Sequence, residues 1–190
     1  IPDIVGLSTI TNCIKDKDVI ERVDKVVEVV KKRDKGFAMM ISLDGYGSVH
    51  DMIRGRQGNF ESAMRVYKHF KGKQIEITIG STISKGNVWE VDELLDYMKE
   101  YGIYGRFRVA EFIKRLYNEN RVDTIRNFDE DETYHLILFF YKLSFSFEKN
   151  ETYQRTYKSM IKWRSGRERL IGSPYHEKGV VLNSRGELAY

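Results

Sequence analysis

Short polar side chains recur just after apolar runs, and their types suit hydrogen bonding to a polar ligand. The first group is Ser8-Thr9-Ile10-Thr11-Asn12-Cys13. The second is Ser42-Leu43-Asp44-Gly45, followed by His50-Asp51 and by Arg54-Gly55. The third is Ser81, Thr82, Ser84 and Asn87, and the fourth is Arg106 and Arg108 with Glu111 beyond them. Hydroxyls, a carboxylate and guanidinium forks converging on one volume would hold hydroxyl, carboxylate or amine groups. Each group also has a purely architectural reading. Ser42 and Asp44 either line a site or cap a loop, since Asp-Gly is a common turn pair. His50 beside Asp51 is either an acid–base dyad or an ordered loop. Arg54 is either a carboxylate partner or a surface arginine, and Asn87 is best read as a helix cap. Cys13 follows a strand and has no base partner in sight, so it reads as buried rather than nucleophilic.

The elements that must position these groups alternate between strand and helix. Ile4 to Ile10 is a β-branched run, and Asp16 to Lys32 carries Val19, Val23, Val26, Val27 and Val30 at helical spacing, with Asp16 or Asp18 as its cap. Phe37 to Leu43 is a second strand, and a helix capped by Asn59 follows it up to Gly72. Ile75 to Ile83, a helix from Val88 to Tyr101, and Tyr104 to Val109 complete the series. Such alternation implies parallel βαβ units, in which the strand ends that feed helices share one edge. Ligand-binding loops gather there, both in barrels and in open α/β sheets, and the pattern alone leaves those two open. The last third differs. Asp129 to Ser144 is an aromatic helix with a capping box from Asp129 and Glu132, and Asn150 opens a second helix to Trp163. Val180 to Leu182 and Glu187 to Tyr190, joined through Gly186, read as a β-hairpin.

Composition narrows the function classes. The 190 residues are 41% hydrophobic and 32% charged, which indicates a folded chain with a real core. No apolar run approaches a membrane span. A single cysteine excludes a disulfide framework and any iron–sulfur or zinc site built by this chain alone, and it suits the cytoplasm. The net charge of +4 is mild and interspersed with acids, which argues against a nucleic-acid stripe. Twelve Tyr, ten Phe and the arginines at 164, 167 and 169 keep an RNA-stacking module as the alternative from another class. An ordinary small-molecule enzyme on the same parallel α/β fold, using His50 and Asp51, is the other alternative. Both ends fall within strand-like runs, so the chain reads as part of a longer protein.

The order of three blocks carries a resemblance. "STITNC", then "ISLDGYGSVHDMIRGRQGNFESAM", then "ITIGSTISKGNVWEVDELLDYM" resembles the radical S-adenosylmethionine superfamily, in the branch with a C-terminal SPASM or twitch extension. The middle block is the most specific, and the likeness covers roughly residues 4 to 105. The end, "SPYHEKGVVLNSRGELAY", resembles the entry to that extension, with Ser173 where many relatives carry a cysteine. The resemblance implies an α/β fold, a partial (βα)6 TIM-type barrel holding strands three to six over residues 1–127. Residues 128–190 would form a helical connection and the start of the extension. It further implies a fragment of an enzyme that reductively cleaves S-adenosylmethionine to a 5′-deoxyadenosyl radical, with a [4Fe-4S] cluster whose ligands lie outside this chain and a possible auxiliary cluster. Ser42 would meet the cofactor's carboxylate, and Asp44 would order that edge. Arg54 would act as a carboxylate partner, while Thr82, Ser84 and Asn87 would sit by the adenosine or methionine moiety, with Asn12 nearby. The implied partners are a peptide or small-molecule substrate and an electron donor such as flavodoxin or ferredoxin.

Overall fold

The computed structural model describes residues 5–110 and 127–168, with the backbone of 181–182 and 188–189. Gly6–Thr11 (β1), Gly36–Ser42 (β2), Glu76–Ile83 (β3) and Gly105–Val109 (β4) form one parallel sheet in the order β1-β2-β3-β4. Between them run Asp16–Lys31 (α1), Ser48–Arg54 (α2), Asn59–Phe70 (α3) and Val91–Glu100 (α4). The strand order follows the chain without reversal. That is the order of a βα-barrel arc, whereas a doubly wound sheet turns back at a switch point.

Alternation along each strand separates two faces. Met39, Ile41 and Leu43, then Ile79 and Ile83, then Phe107 and Val109 are buried with the apolar stripes of the helices, among them Val23, Val27, Phe70, Leu94 and Met98. The α1 and α3 helices lie side by side and are tied at their seam by Arg65–Asp16 at 2.6 Å and by Asp24 to His69 and Lys73 at 2.8 and 2.7 Å. The opposite face is half-open and more polar. Register places Ser42 beside Gly80 and Gly80 beside Arg106, with Thr82 beside Arg108 one step further along.

Several capping expectations need correction. Lys15, not Asp16 or Asp18, precedes α1 without a side-chain cap, because Asp16 is drawn to Arg65. Asn59 does not cap α3; Gly58 stands at that cap in the left-handed region, and Asn59 Nδ2 donates to the Asn12 carbonyl. Asn87 does not cap α4, which starts after Glu90. Tertiary partners outcompeted the local ones in all three cases: the Arg65 donor for the Asp16 carboxylate, and backbone carbonyls for the two asparagine amides. The α2 helix went unread in the sequence because it is barely two turns long and lies between glycines.

A second compact unit spans Thr133–Tyr190, the first being Ile1–Glu132. It contains most of Glu130–Ser146 (α5) together with Glu151–Arg164 (α6) and a two-stranded ladder. Phe140 stacks on Tyr157 across α5 and α6 at 5.7 Å. Both expected caps are present: Asp129 and Glu132 exchange backbone N–H bonds at 2.8 and 2.9 Å, and Asn150 Oδ1 accepts from Thr152 N. The hairpin forms antiparallel between Val181–Leu182 (β5) and Leu188–Ala189 (β6). Gly186, Ser173, Glu111 and Arg169 lie outside the described residues.

Candidate functional site

The chain leaves β2 through Leu43, whose N–H still donates to Gly80 O, so Asp44 emerges at the sheet edge beside β3. One carboxylate oxygen of Asp44 accepts the Thr82 N–H at 2.8 Å, and the other pairs with Arg54 Nη2 at 2.7 Å. The Asp44 side chain is only 6% exposed and Arg54 28%, so this ion pair is largely desolvated. Arg54 therefore faces a carboxylate of its own chain. Its Nε is buried and finds no acceptor among the described residues.

Asn87 closes the same corner from the other side. Its amide nitrogen donates to the carbonyls of Asp44 and Thr82, while its oxygen accepts from the Ser84 N–H and hydroxyl. Asn87 is completely buried, and it staples the two strand tips together. Ser84 is engaged in that staple and accepts from the Gly86 N–H.

His50 and Asp51 do not form a dyad. The His50 ring is fully buried, and its Nδ1 accepts the Asp44 N–H at 3.0 Å. That fixes the neutral tautomer, with the proton on Nε2. Burial pushes its pKa down, and the nearby Arg54 charge works in the same direction while Asp44 opposes it. The Asp51 carboxylate points the other way and accepts from Gly58 N and Phe60 N at 2.6 and 2.8 Å, which caps α3. Burial works to raise its pKa, and those N–H donors outweigh it, so the carboxyl is held below its ordinary value. The two side chains are thus held by different backbone groups and share no hydrogen bond with each other.

Of the remaining sequence candidates, Ser42 sits one step back from Asp44 on the open face. It is half-exposed, and its hydroxyl carries no bond to another described residue. Gly80 beside it keeps the strands bare on that face; a Cβ there would fall 2.6 Å from Met40 Sδ. Thr82 Oγ1 accepts from Arg108 Nε at 3.1 Å. Asn12 is exposed at the tip of β1, and its side chain accepts from Ile14 N. The structure therefore brings Asp44, Arg54, Thr82, Ser84 and Asn87 into one bonded cluster. Ser42, Arg106 and Arg108 lie along the adjoining open face, and Asn12 lies at the neighbouring tip. The Asp51 cap was missed in the sequence; Gly58, which adopts a φ of 76°, was the residue that could have signalled it.

Cys13 is fully buried, and burial pushes its thiol up to about 11, so it stays protonated at neutral pH. Among the described residues no three His, Cys, Asp or Glu side chains converge as metal ligands. No helix among them is long and apolar enough to cross a membrane. A hollow of about 590 Å³ lies at the opposite edge of the sheet by Gly6, Phe37 and Lys73, away from this cluster.

No family model matches the chain. It is 27% identical over 101 residues to the sporulation killing factor maturation protein SkfB of Bacillus subtilis, covering 53% of this chain and 24% of SkfB. Among solved structures it resembles native anSMEcpe with bound AdoMet at 18% identity and a TM-score of 0.48, over 73% of this chain and 37% of that one. Native anSMEcpe with bound AdoMet and Kp18Cys peptide matches at 16% identity and a TM-score of 0.49, with the same coverage. The chain thus spans about a quarter of SkfB and just over a third of the anSMEcpe chains. The stretch shared with SkfB supports a radical S-adenosylmethionine superfamily relationship.

Proposed function

We propose that this relative of the radical S-adenosylmethionine superfamily supplies part of a βα barrel whose open sheet face holds S-adenosylmethionine, in an enzyme acting on a peptide or small-molecule substrate. The observation that carries the reading is the half-exposed row of Ser42, Gly80 and Arg106, with Thr82 and Arg108 beside it. Hydroxyls next to guanidinium groups on a surface kept low by glycine fit the carboxylate and ribose of an amino-acid-like nucleoside.

Ser42 donates to the methionine carboxylate in this proposal, and Thr82 lies towards the ribose. Asp44, Arg54, Ser84 and Asn87 act mainly as a frame, because their polar atoms are spent on each other and on the strand tips. Asn12 borders the site from β1. Since the described residues offer no metal cluster, the [4Fe-4S] ligands and any auxiliary cluster would come from outside them. With both groups bound, the cluster would supply the electron that cleaves the cofactor's carbon–sulfur bond, giving a radical that takes hydrogen from the substrate. This chain's own contribution is to bind, orient and keep water away. A flavodoxin or ferredoxin is the proposed electron source and the cytoplasm the proposed compartment.

The test uses the whole protein, reconstituted anaerobically with iron and sulfide and reduced with dithionite. We expect about four irons per chain, or more with auxiliary clusters, and formation of 5′-deoxyadenosine from S-adenosylmethionine. Absence of bound iron, or of 5′-deoxyadenosine in iron-loaded protein, would reject the assignment.

A further inference from the structure

On the helix-covered side of the sheet, Tyr46 leaves the loop after Asp44 and meets α4. Its ring lies 4.8 Å from Tyr97, which lies 4.7 Å from Tyr101, and Phe60 closes the cluster at 5.2 Å from Tyr46. The three tyrosine rings wall a groove of about 510 Å³, with Phe60 buried behind Tyr46, and the remaining lining is acidic: Glu93, Asp96 and Glu100. The spacing explains the arrangement. Positions 93, 96, 97 and 100 share one stripe of α4, and Tyr101 at its C-cap continues it, so the helix lays aromatic and carboxylate groups along a single line. Tyr46 and Tyr101 are 39% and 53% exposed, so ring faces are open to a ligand.

The carboxylates do not converge as a metal site among the described residues. They are strung along a groove, which suits spread cationic side chains better than a compact ion. Burial raises the Tyr97 pKa, and the neighbouring Tyr101, Tyr46, Glu61 and Glu100 push it the same way, so the Tyr97 phenol stays neutral beside these carboxylates. This acidic spot sits on a chain whose net charge is +4, so a cation drawn here is selected by the groove and not by the protein as a whole.

We propose that the groove between Tyr46 and α4 docks a lysine- or arginine-bearing peptide segment, its cationic heads held over the Tyr46, Tyr97 and Tyr101 rings and paired with Glu93 and Glu100. Aromatic faces attract ammonium and guanidinium groups, and adjacent carboxylates add to that attraction. The groove adjoins the loop that carries Asp44, so a peptide seated here runs past the strand-end edge. That the docked segment belongs to the substrate rests on the reading given under Proposed function; that a cationic peptide binds does not.

The experiment measures fluorescence anisotropy of labelled hexalysine with the 190-residue chain at low salt, without cofactor or iron, and with labelled hexaglutamate as the comparison. The expected result is binding of hexalysine only, weakened about fivefold or more in Tyr101→Ala and in the Glu93→Gln/Glu100→Gln double variant. Glu28→Gln, an exposed acid on α1, should bind as the parent does. Circular dichroism establishes that each variant is folded, and the double variant alters only exposed carboxylates, so it serves if Tyr101→Ala does not fold. No hexalysine binding, equal binding of hexaglutamate, or unchanged binding in the double variant overturns the proposal. Because no cofactor is present, any of these outcomes leaves S-adenosylmethionine cleavage to be judged separately.

Discussion

At the residue scale, the strand-end cluster shows how a desolvated carboxylate is kept in place. Asp44 is nearly inaccessible, and its charge is met by Arg54 on one oxygen and a backbone N–H on the other. His50 completes the arrangement from behind by accepting the Asp44 N–H while uncharged. This has a pH consequence. Burial lowers the folded pKa of His50 from 6.5, so the unfolded chain takes up the proton first as pH falls. The stabilisation is present above 6.5 and is lost as pH falls through 6.5 towards the lower folded value. Urea unfolding of His50→Asn, whose amide oxygen can still accept the Asp44 N–H, should show a shallower decline between about pH 6.5 and 5 than the parent; equal slopes would remove His50 as the cause. Residue types were legible in the sequence, but their partners were not. Asn59 and Asn87 looked like helix caps because local spacing favoured it, yet both amides serve carbonyls far along the chain. A capping side chain competes with every buried acceptor in the fold, and only the folded chain reveals those.

At the element scale, the two hydrophobic periods did most of the work. All four parallel strands and α1, α3 and α4 lie within a few residues of where their apolar spacing placed them. The α5 helix was legible from its capping box, although apolar residues occur on both faces, with Leu136, Phe139 and Phe140 buried and Tyr134, Leu138 and Phe145 exposed. Close helix–strand contact was invisible in the sequence. Gly105 at the start of β4 has no room for a methyl group: a Cβ would fall 2.5 Å from Met98 Cε and 2.8 Å from both the Ile79 side chain and its carbonyl. The sulfur-bearing side chain can yield, but the backbone carbonyl cannot. Gly105→Ala should therefore lower stability by about 1–3 kcal/mol in denaturant titrations, whereas a loss near zero would mean that the start of β4 is free to shift away from β3.

At the scale of the whole molecule, the first unit is an unreversed parallel arc with helices packed on one face and half-exposed polar residues, Ser42, Thr82 and Arg106 among them, on the other. The corner bonds of Asp44, Asn87 and Arg54 fix the strand tips, and that rigidity is what positions Ser42 and Thr82 beside Gly80. Precise placement of a few hydroxyls matters more than their number when a cofactor must be held for a single bond cleavage. The most direct measurement is equilibrium binding of S-adenosylmethionine to the iron-loaded whole protein and to its Ser42→Ala variant. Loss of a hydrogen bond to a charged carboxylate should raise Kd roughly tenfold, with iron content and thermal unfolding unchanged. Equal affinity in the two proteins would contradict the account, because the open face of β2 would then lie away from the cofactor.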